Sequence, residues 1–103
     1  MTVYRNEGKF DKSNVEFDGN RILQYDKVYR TSAMRYIDYG LGAFRRGVFE
    51  ALPASEKRDL VTVYQGLLRA GRLAAYEVRE RFYEIGSPEG LRDTSAYLAK
   101  RRP

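Results

Sequence analysis

Short apolar runs separated by polar turns fill the first third of the chain, and apolar residues at helical spacing fill much of the rest. Val3 and Tyr4 form the first run, and mostly polar residues occupy Arg5 to Ser13. Asn14 to Phe17 and Arg21 to Tyr25 then flank Asp18-Gly19-Asn20. Asp-Gly between two such runs predicts a β-hairpin, because glycine accepts the positive φ of a tight reversal. Polar Val28 to Arg35 reads as a loop. Tyr36 to Phe44 reads as a further strand, rich in the aromatic and branched side chains that suit a pleated, buried surface. Its two glycines, Gly40 and Gly42, mark a place where a ligand or another backbone comes close.

Arg46 to Leu52 predicts a short helix that ends near Pro53. Leu60, Val61, Tyr64, Leu67 and Leu68 then fall at i, i+1, i+4, i+7 and i+8, one apolar stripe of a longer helix. Ser55 or Asp59 caps it, and Gly71 stops it. Leu73 to Val78 and Phe82 to Ile85 read as strands around a charged bend. The last helix begins with Ser87 as N-cap, Pro88 at its first position and Glu89 in its first turn, with Leu91 and Leu98 on one side. The predicted order is β, β-hairpin, β, α, α, β, β, α. This is an α/β fold, a mixed sheet with a β-hairpin and about three helices, in one domain over residues 1–103.

Composition narrows the chemistry. At 103 residues, 43% hydrophobic and 32% charged, the chain has the size and balance of one small globular domain. No run approaches the ~20 apolar residues of a membrane helix, and Met1 to Phe10 lacks the apolar centre of a secretory signal, so a soluble, cytoplasmic protein is expected. The absence of Cys and His removes disulfides, thiolate and imidazole metal sites, and Cys- or Ser-His-Asp-type nucleophiles. Carboxylates, Lys, Arg, Tyr and backbone groups remain, a set suited to anionic substrates and hard cations.

The net charge is +5, yet residues 1–52 carry nine basic and seven acidic side chains and residues 53–103 carry ten and seven. That even mixture describes a solvated surface, with Lys100, Arg101 and Arg102 as a basic end, and nucleic acid is not the expected partner. Nine Tyr and five Phe are read chiefly as core, since no RNA-recognition strand motif accompanies them. Gly40-x-Gly42 is no dinucleotide loop, because Arg45 stands where the third glycine belongs.

Two stretches carry more information than composition. Asn14-Val15-Glu16-Phe17-Asp18-Gly19-Asn20-Arg21-Ile22-Leu23-Gln24-Tyr25-Asp26-Lys27, followed by Tyr36-Ile37-Asp38-Tyr39-Gly40-Leu41, resembles the second half of sugar-1-phosphate nucleotidyltransferases. Tyr76-Glu77-Val78 and Phe82-Tyr83-Glu84-Ile85-Gly86-Ser87-Pro88-Glu89-Gly90-Leu91 is similar to that family's closing signature. The wording is closest to bacterial members that act on heptose or hexose 1-phosphates. Such enzymes join a sugar 1-phosphate to a nucleoside triphosphate and release pyrophosphate, with Mg²⁺ bridging the phosphates.

The resemblance implies the C-terminal half of a Rossmann-like nucleotidyltransferase fold and a role for particular residues. Lys27 matches the lysine that meets the sugar phosphate, and Asp26 the neighbouring acid that accepts sugar hydroxyls. Asp38, Tyr39 and Gly40 match the strand that lines the sugar pocket, and Glu84 the carboxylate that helps hold Mg²⁺. The sequence departs from the family at these points: Asp26 stands for a glutamate, Val28 for a proline, Asp38 for an asparagine and Glu84 for an aspartate. The family's first half, with its glycine-rich triphosphate loop and first metal aspartate, has no counterpart here. The expected partners are therefore a sugar 1-phosphate and a nucleoside triphosphate in the intact enzyme, with the missing N-terminal half or a second copy completing the site. The alternative is a non-catalytic assembly module that pairs with a nucleotide-binding partner or with itself.

Overall fold

A computed structural model describes residues 1–101 of the chain. Its elements are β1 (Thr2–Arg5), β2 (Val15–Phe17), β3 (Ile22–Tyr25), β4 (Tyr36–Asp38), α1 (Arg46–Glu50), α2 (Leu60–Arg69), β5 (Tyr76–Val78) and α3 (Pro88–Lys100). The five strands form one mixed sheet in the order β3-β2-β4-β1-β5. Only β1 and β5 run parallel; β1 with β4, β4 with β2, and β2 with β3 are antiparallel. The architecture is the expected α/β class with three helices. No helix among the described residues is long and apolar enough to cross a membrane.

The Asp-Gly hairpin forms as predicted. Asp18 Oδ1 accepts from the amides of Asn20 and Arg21 at 2.8 and 2.7 Å, and Gly19 supplies a φ of +95°. The carboxylate closes the reversal and the glycine takes the conformation other residues resist. Helix α2 begins at Asp59, whose side chain accepts from the Val61 amide. At its other end Gly71 adopts φ +69°, Gly71 N donates to Leu68 O and Arg72 N donates to Leu67 O. That pair of bonds satisfies the last carbonyls in the manner of a Schellman stop. Helix α3 begins as predicted at Ser87, which accepts from the Gly90 amide, with Pro88 in the first turn.

Three predicted strands are shorter than expected or absent. The segment from Tyr36 leaves the sheet after Asp38, because Asp38 Oδ1 accepts from the Gly40 amide and Gly40 turns with φ +91°. Leu73 to Val78 pairs only from Tyr76. Phe82 to Ile85 joins no strand. It crosses the outer face instead, where the Phe82 ring meets Tyr4 at 6.0 Å and Phe10 at 5.9 Å.

Alternation along the strands gives the sheet two different faces. One face sends Val3, Val15, Ile22 and Tyr25 against Tyr64 of α2, with Met1 completing the buried cluster. Tyr25 and Tyr64 meet edge to face at 5.8 Å, an arrangement favoured by the ring quadrupoles. The opposite face carries Tyr4, Phe10, Tyr39 and Phe82. From there the Arg81 guanidinium lies 3.8 Å from the Phe10 ring centre and 4.3 Å from that of Tyr83, and Tyr83 stacks on Tyr97 of α3 at 4.1 Å. Arg81 also reaches Asp93 of α3 at 3.4 Å. Helix α3 buries no residue of its own and exposes Leu91 and Leu98.

The molecule is open for its mass. Its accessible surface is 7989 Å², whereas a compact monomer of this size exposes about 6000 Å². The radius of gyration, 15.5 Å, exceeds the ~13 Å of a compact chain of this length.

With so little apolar core, buried polar groups set the loops. Asn6 is fully buried: its Oδ1 accepts from the Phe10 amide at 3.1 Å, and its Nδ2 donates to the Asp11 carbonyl and to Ser13 Oγ. Asn6→Ala strands these partners and is expected to lower stability by about 2 kcal/mol in urea denaturation. A loss below about 0.5 kcal/mol would show that the loop holds itself without the amide.

Candidate functional site

Asn14 ties together two segments that are distant in sequence. It is 5% exposed, its carbonyl accepts from the Asp26 amide at 3.0 Å, and its side-chain Oδ1 accepts from the Asp38 amide at 3.0 Å. The Tyr25 hydroxyl adds a second tie, donating to Asp38 Oδ2 at 3.0 Å. The end of β3 and the end of β4 are thereby held at one edge of the hairpin. Asp26-Lys27 and Asp38-Tyr39-Gly40 leave the sheet from these neighbouring points.

Asp26 caps a turn, accepting from Val28 N at 2.8 Å and Tyr29 N at 3.0 Å. Those amide bonds, Tyr29 first, hold its carboxyl below the ordinary carboxylate range. The turn presents Lys27 to solvent, where no ion pair among the described residues restrains it. Asp38 is half-buried and uses one oxygen on Tyr25 and the other on Gly40. Each oxygen retains a further lone pair for an incoming hydroxyl. Tyr39 packs toward Tyr4 and Phe82 on the outer face. What comes close at Gly42 is a side chain and not a backbone, since a Cβ there would overlap the Tyr64 hydroxyl, and nothing in the described protein approaches Gly40.

Glu84 occupies a different setting. Its carboxylate accepts from Gly86 N at 2.6 Å and from Ser87 Oγ at 2.8 Å, and a Cβ on Gly90 would overlap it. Glu84 thus braces the corner before α3, while its carbonyl accepts from Thr94 Oγ1. No group of three or more acidic residues able to hold a metal occurs among the described residues. A lone carboxylate already engaged by an amide and a hydroxyl does not fit Mg²⁺, which takes its ligands in a near-ideal octahedron. These residues therefore do not form a magnesium site by themselves.

Two larger cavities lie along α2. One, about 800 Å³, runs beside β3 and is lined by Arg21, Gln24, Asp26, Tyr29, Gln65 and Arg69 among others. Asp26 is the one predicted site residue in its wall. Gln65 and Arg69, which the sequence reading missed, lie on the helix flank beside its apolar stripe. The other cavity, about 1050 Å³, lies between α1, α2 and the segment before β5. No protein-family model, curated protein or solved structure matches the chain.

Burial, and then the nearby Asp38 carboxylate that accepts its hydroxyl, push the Tyr25 phenol well above its ordinary range. Burial and Asp38 raise Tyr64 in the same direction. A raised folded-state pKa favours the protonated phenol in the folded protein. That stabilisation is whole below the unfolded value of about 10 and drains away as pH climbs from there toward the folded value. Stability measured by denaturation is expected to fall above pH ~10, with a shallower fall in Tyr25→Phe. Identical slopes for the two proteins would contradict a buried, Asp38-paired phenol.

Proposed function

We propose that the chain forms the sugar-phosphate side of a sugar-1-phosphate nucleotidyltransferase whose nucleotide side comes from a separate lobe. The observation that supports it best is the meeting of the Asp26-Lys27 turn and the Asp38-Tyr39-Gly40 turn through Asn14 and Tyr25. These segments carry the first of the two stretches on which the family resemblance rests.

In this reading Lys27 meets the phosphate as a mobile point charge, and the Asp26 turn fixes where that charge emerges. Asp38, oriented by Tyr25, accepts sugar hydroxyls, and Gly40 lets the ring approach the backbone. In the complete enzyme a phosphate oxygen of the sugar 1-phosphate attacks the α-phosphorus of the triphosphate. A P–O bond forms there as the bond to pyrophosphate breaks. The contribution of these residues is orientation and charge neutralisation.

Glucose 1-phosphate titrated into the labelled protein is expected to shift the backbone amide resonances of residues 26–28 and 39–41. Lys27→Gln is expected to weaken the effect about tenfold, the loss of one charge-assisted contact. Unmoved resonances at millimolar sugar phosphate would refute the reading. The purified chain with sugar phosphate, triphosphate and Mg²⁺ is expected to release no pyrophosphate, and clear turnover would overturn the division into two lobes.

A second reading, a non-catalytic assembly module, is favoured by the surface of 7989 Å². It predicts self-association or capture of a nucleotide-binding partner. A monomer by light scattering at about 50 μM, tight enough to report a micromolar dimer, would rule out the self-pairing form.

A further inference from the structure

The sugar-phosphate reading does not use the cavity of about 1050 Å³ between α1 and α2. Its walls are apolar and half-buried: Phe44, Val48, Leu52, Val63, Leu67 and Leu73. Its margin carries Arg45, Arg58, Arg69 and Arg72, and no Asp or Glu lines it. Arg58 pairs with Glu56 at 3.1 Å, whereas Arg45, Arg69 and Arg72 have no ion pair among the described residues.

We infer that this cavity receives an amphipathic helix of a protein partner, with apolar side chains filling the walls and acidic side chains meeting the arginine margin. This rests on the two-lobe reading and names the chemistry by which the second lobe docks.

Three observations select that occupant. The molecule as a whole exposes about 2000 Å² more than a compact monomer of its mass, the scale of surface that protein partners rather than small ligands cover. No buried side-chain nitrogen or oxygen in the described protein lacks a hydrogen-bond partner, so the walls ask for no small polar ligand. No strand residue lines the cavity, so an occupant cannot join by strand addition and must present side chains, as a helix does. The positive margin then sets the sign of the occupant, since like charges across a desolvated rim oppose docking.

The test uses the whole protein and a fluorescent helical peptide of about 18 residues, with leucines at i, i+3, i+4 and i+7 flanked by glutamates. Fluorescence anisotropy is expected to show saturable binding that weakens at least about tenfold when the glutamates are replaced by lysines. A similar loss is expected when the same residues are shuffled to destroy the leucine stripe. Arg45→Gln/Arg69→Gln/Arg72→Gln, which alters exposed side chains only, is expected to weaken the glutamate peptide about tenfold with an unchanged circular dichroism spectrum.

No binding at about 1 mM peptide, equal binding of the lysine or shuffled peptide, or indifference to the arginine substitutions would each overturn the inference. The glucose 1-phosphate titration reads a different surface. Shifted amides at residues 26–28 together with a failed peptide would sink the docking site alone, and the reverse would sink the sugar-phosphate reading alone.

Discussion

Asn14 is buried at 5% exposure, and losing a partner of one of its buried polar atoms costs about 1–3 kcal/mol. Its backbone carbonyl accepts from the Asp26 amide just beyond β3, its side-chain Oδ1 accepts from the Asp38 amide at the end of β4, and its backbone N–H donates to Tyr36 O at 2.9 Å. Three segments are fixed by one residue at the point where β2, β3 and β4 converge. It ties the exit of the Lys27 turn to the end of β4, while Asp18 and Gly19 close the hairpin at its other end. Tyr25 reinforces the same point from the core side, because its ring packs on Tyr64 while its hydroxyl reaches Asp38. Packing and polar chemistry meet in that side chain.

The two faces of the sheet are secured by different means. The α2 face buries aliphatic and aromatic side chains by ordinary hydrophobic packing. The other face relies on rings set edge to face and on Arg81 held between Phe10 and Tyr83. Such contacts are directional and individually worth about 0.5–2 kcal/mol, less than a filled core provides. The open shape is the geometric counterpart of this economy. Neither face is covered as deeply as in a compact domain of equal mass.

Local signals in the sequence were strong where a residue's chemistry allows few conformations. Asp18-Gly19, Asp59, Gly71 and Ser87-Pro88 each marked a reversal or a helix end that the structure contains. The apolar stripe of α2 likewise named Val61, Tyr64 and Leu68, which pack on or in the core. The segments at 39–44 and 82–85 were legible as extended, but not that Gly40 turns the first out of the strand after Asp38 or that the second joins no strand. Strand propensity reports fit to a pleated surface, while pairing depends on a neighbour that only the tertiary arrangement supplies. Of the candidate site, Asp26, Lys27, Asp38, Tyr39 and Gly40 were legible as two motifs, and the Asn14 bridge that joins them was not. Nothing local distinguishes a buried bridging asparagine from an exposed turn asparagine. The arginine margin of the α1–α2 cavity was hidden for a related reason: Arg45, Arg58, Arg69 and Arg72 are dispersed in sequence and meet only when the chain folds back.

Helix α3 is joined to the sheet through a ladder of four flat groups, Phe10, Arg81, Tyr83 and Tyr97, rather than through interlocked aliphatic side chains. Planar groups that stack can part along their common normal without tearing a core. The C-terminal helix, whose N-terminus is capped by Ser87 and braced by Glu84, is thus able to detach as an intact rod while the strands stay paired. Amide hydrogens of a helix held in this way exchange by undocking wherever that opening costs less than global unfolding.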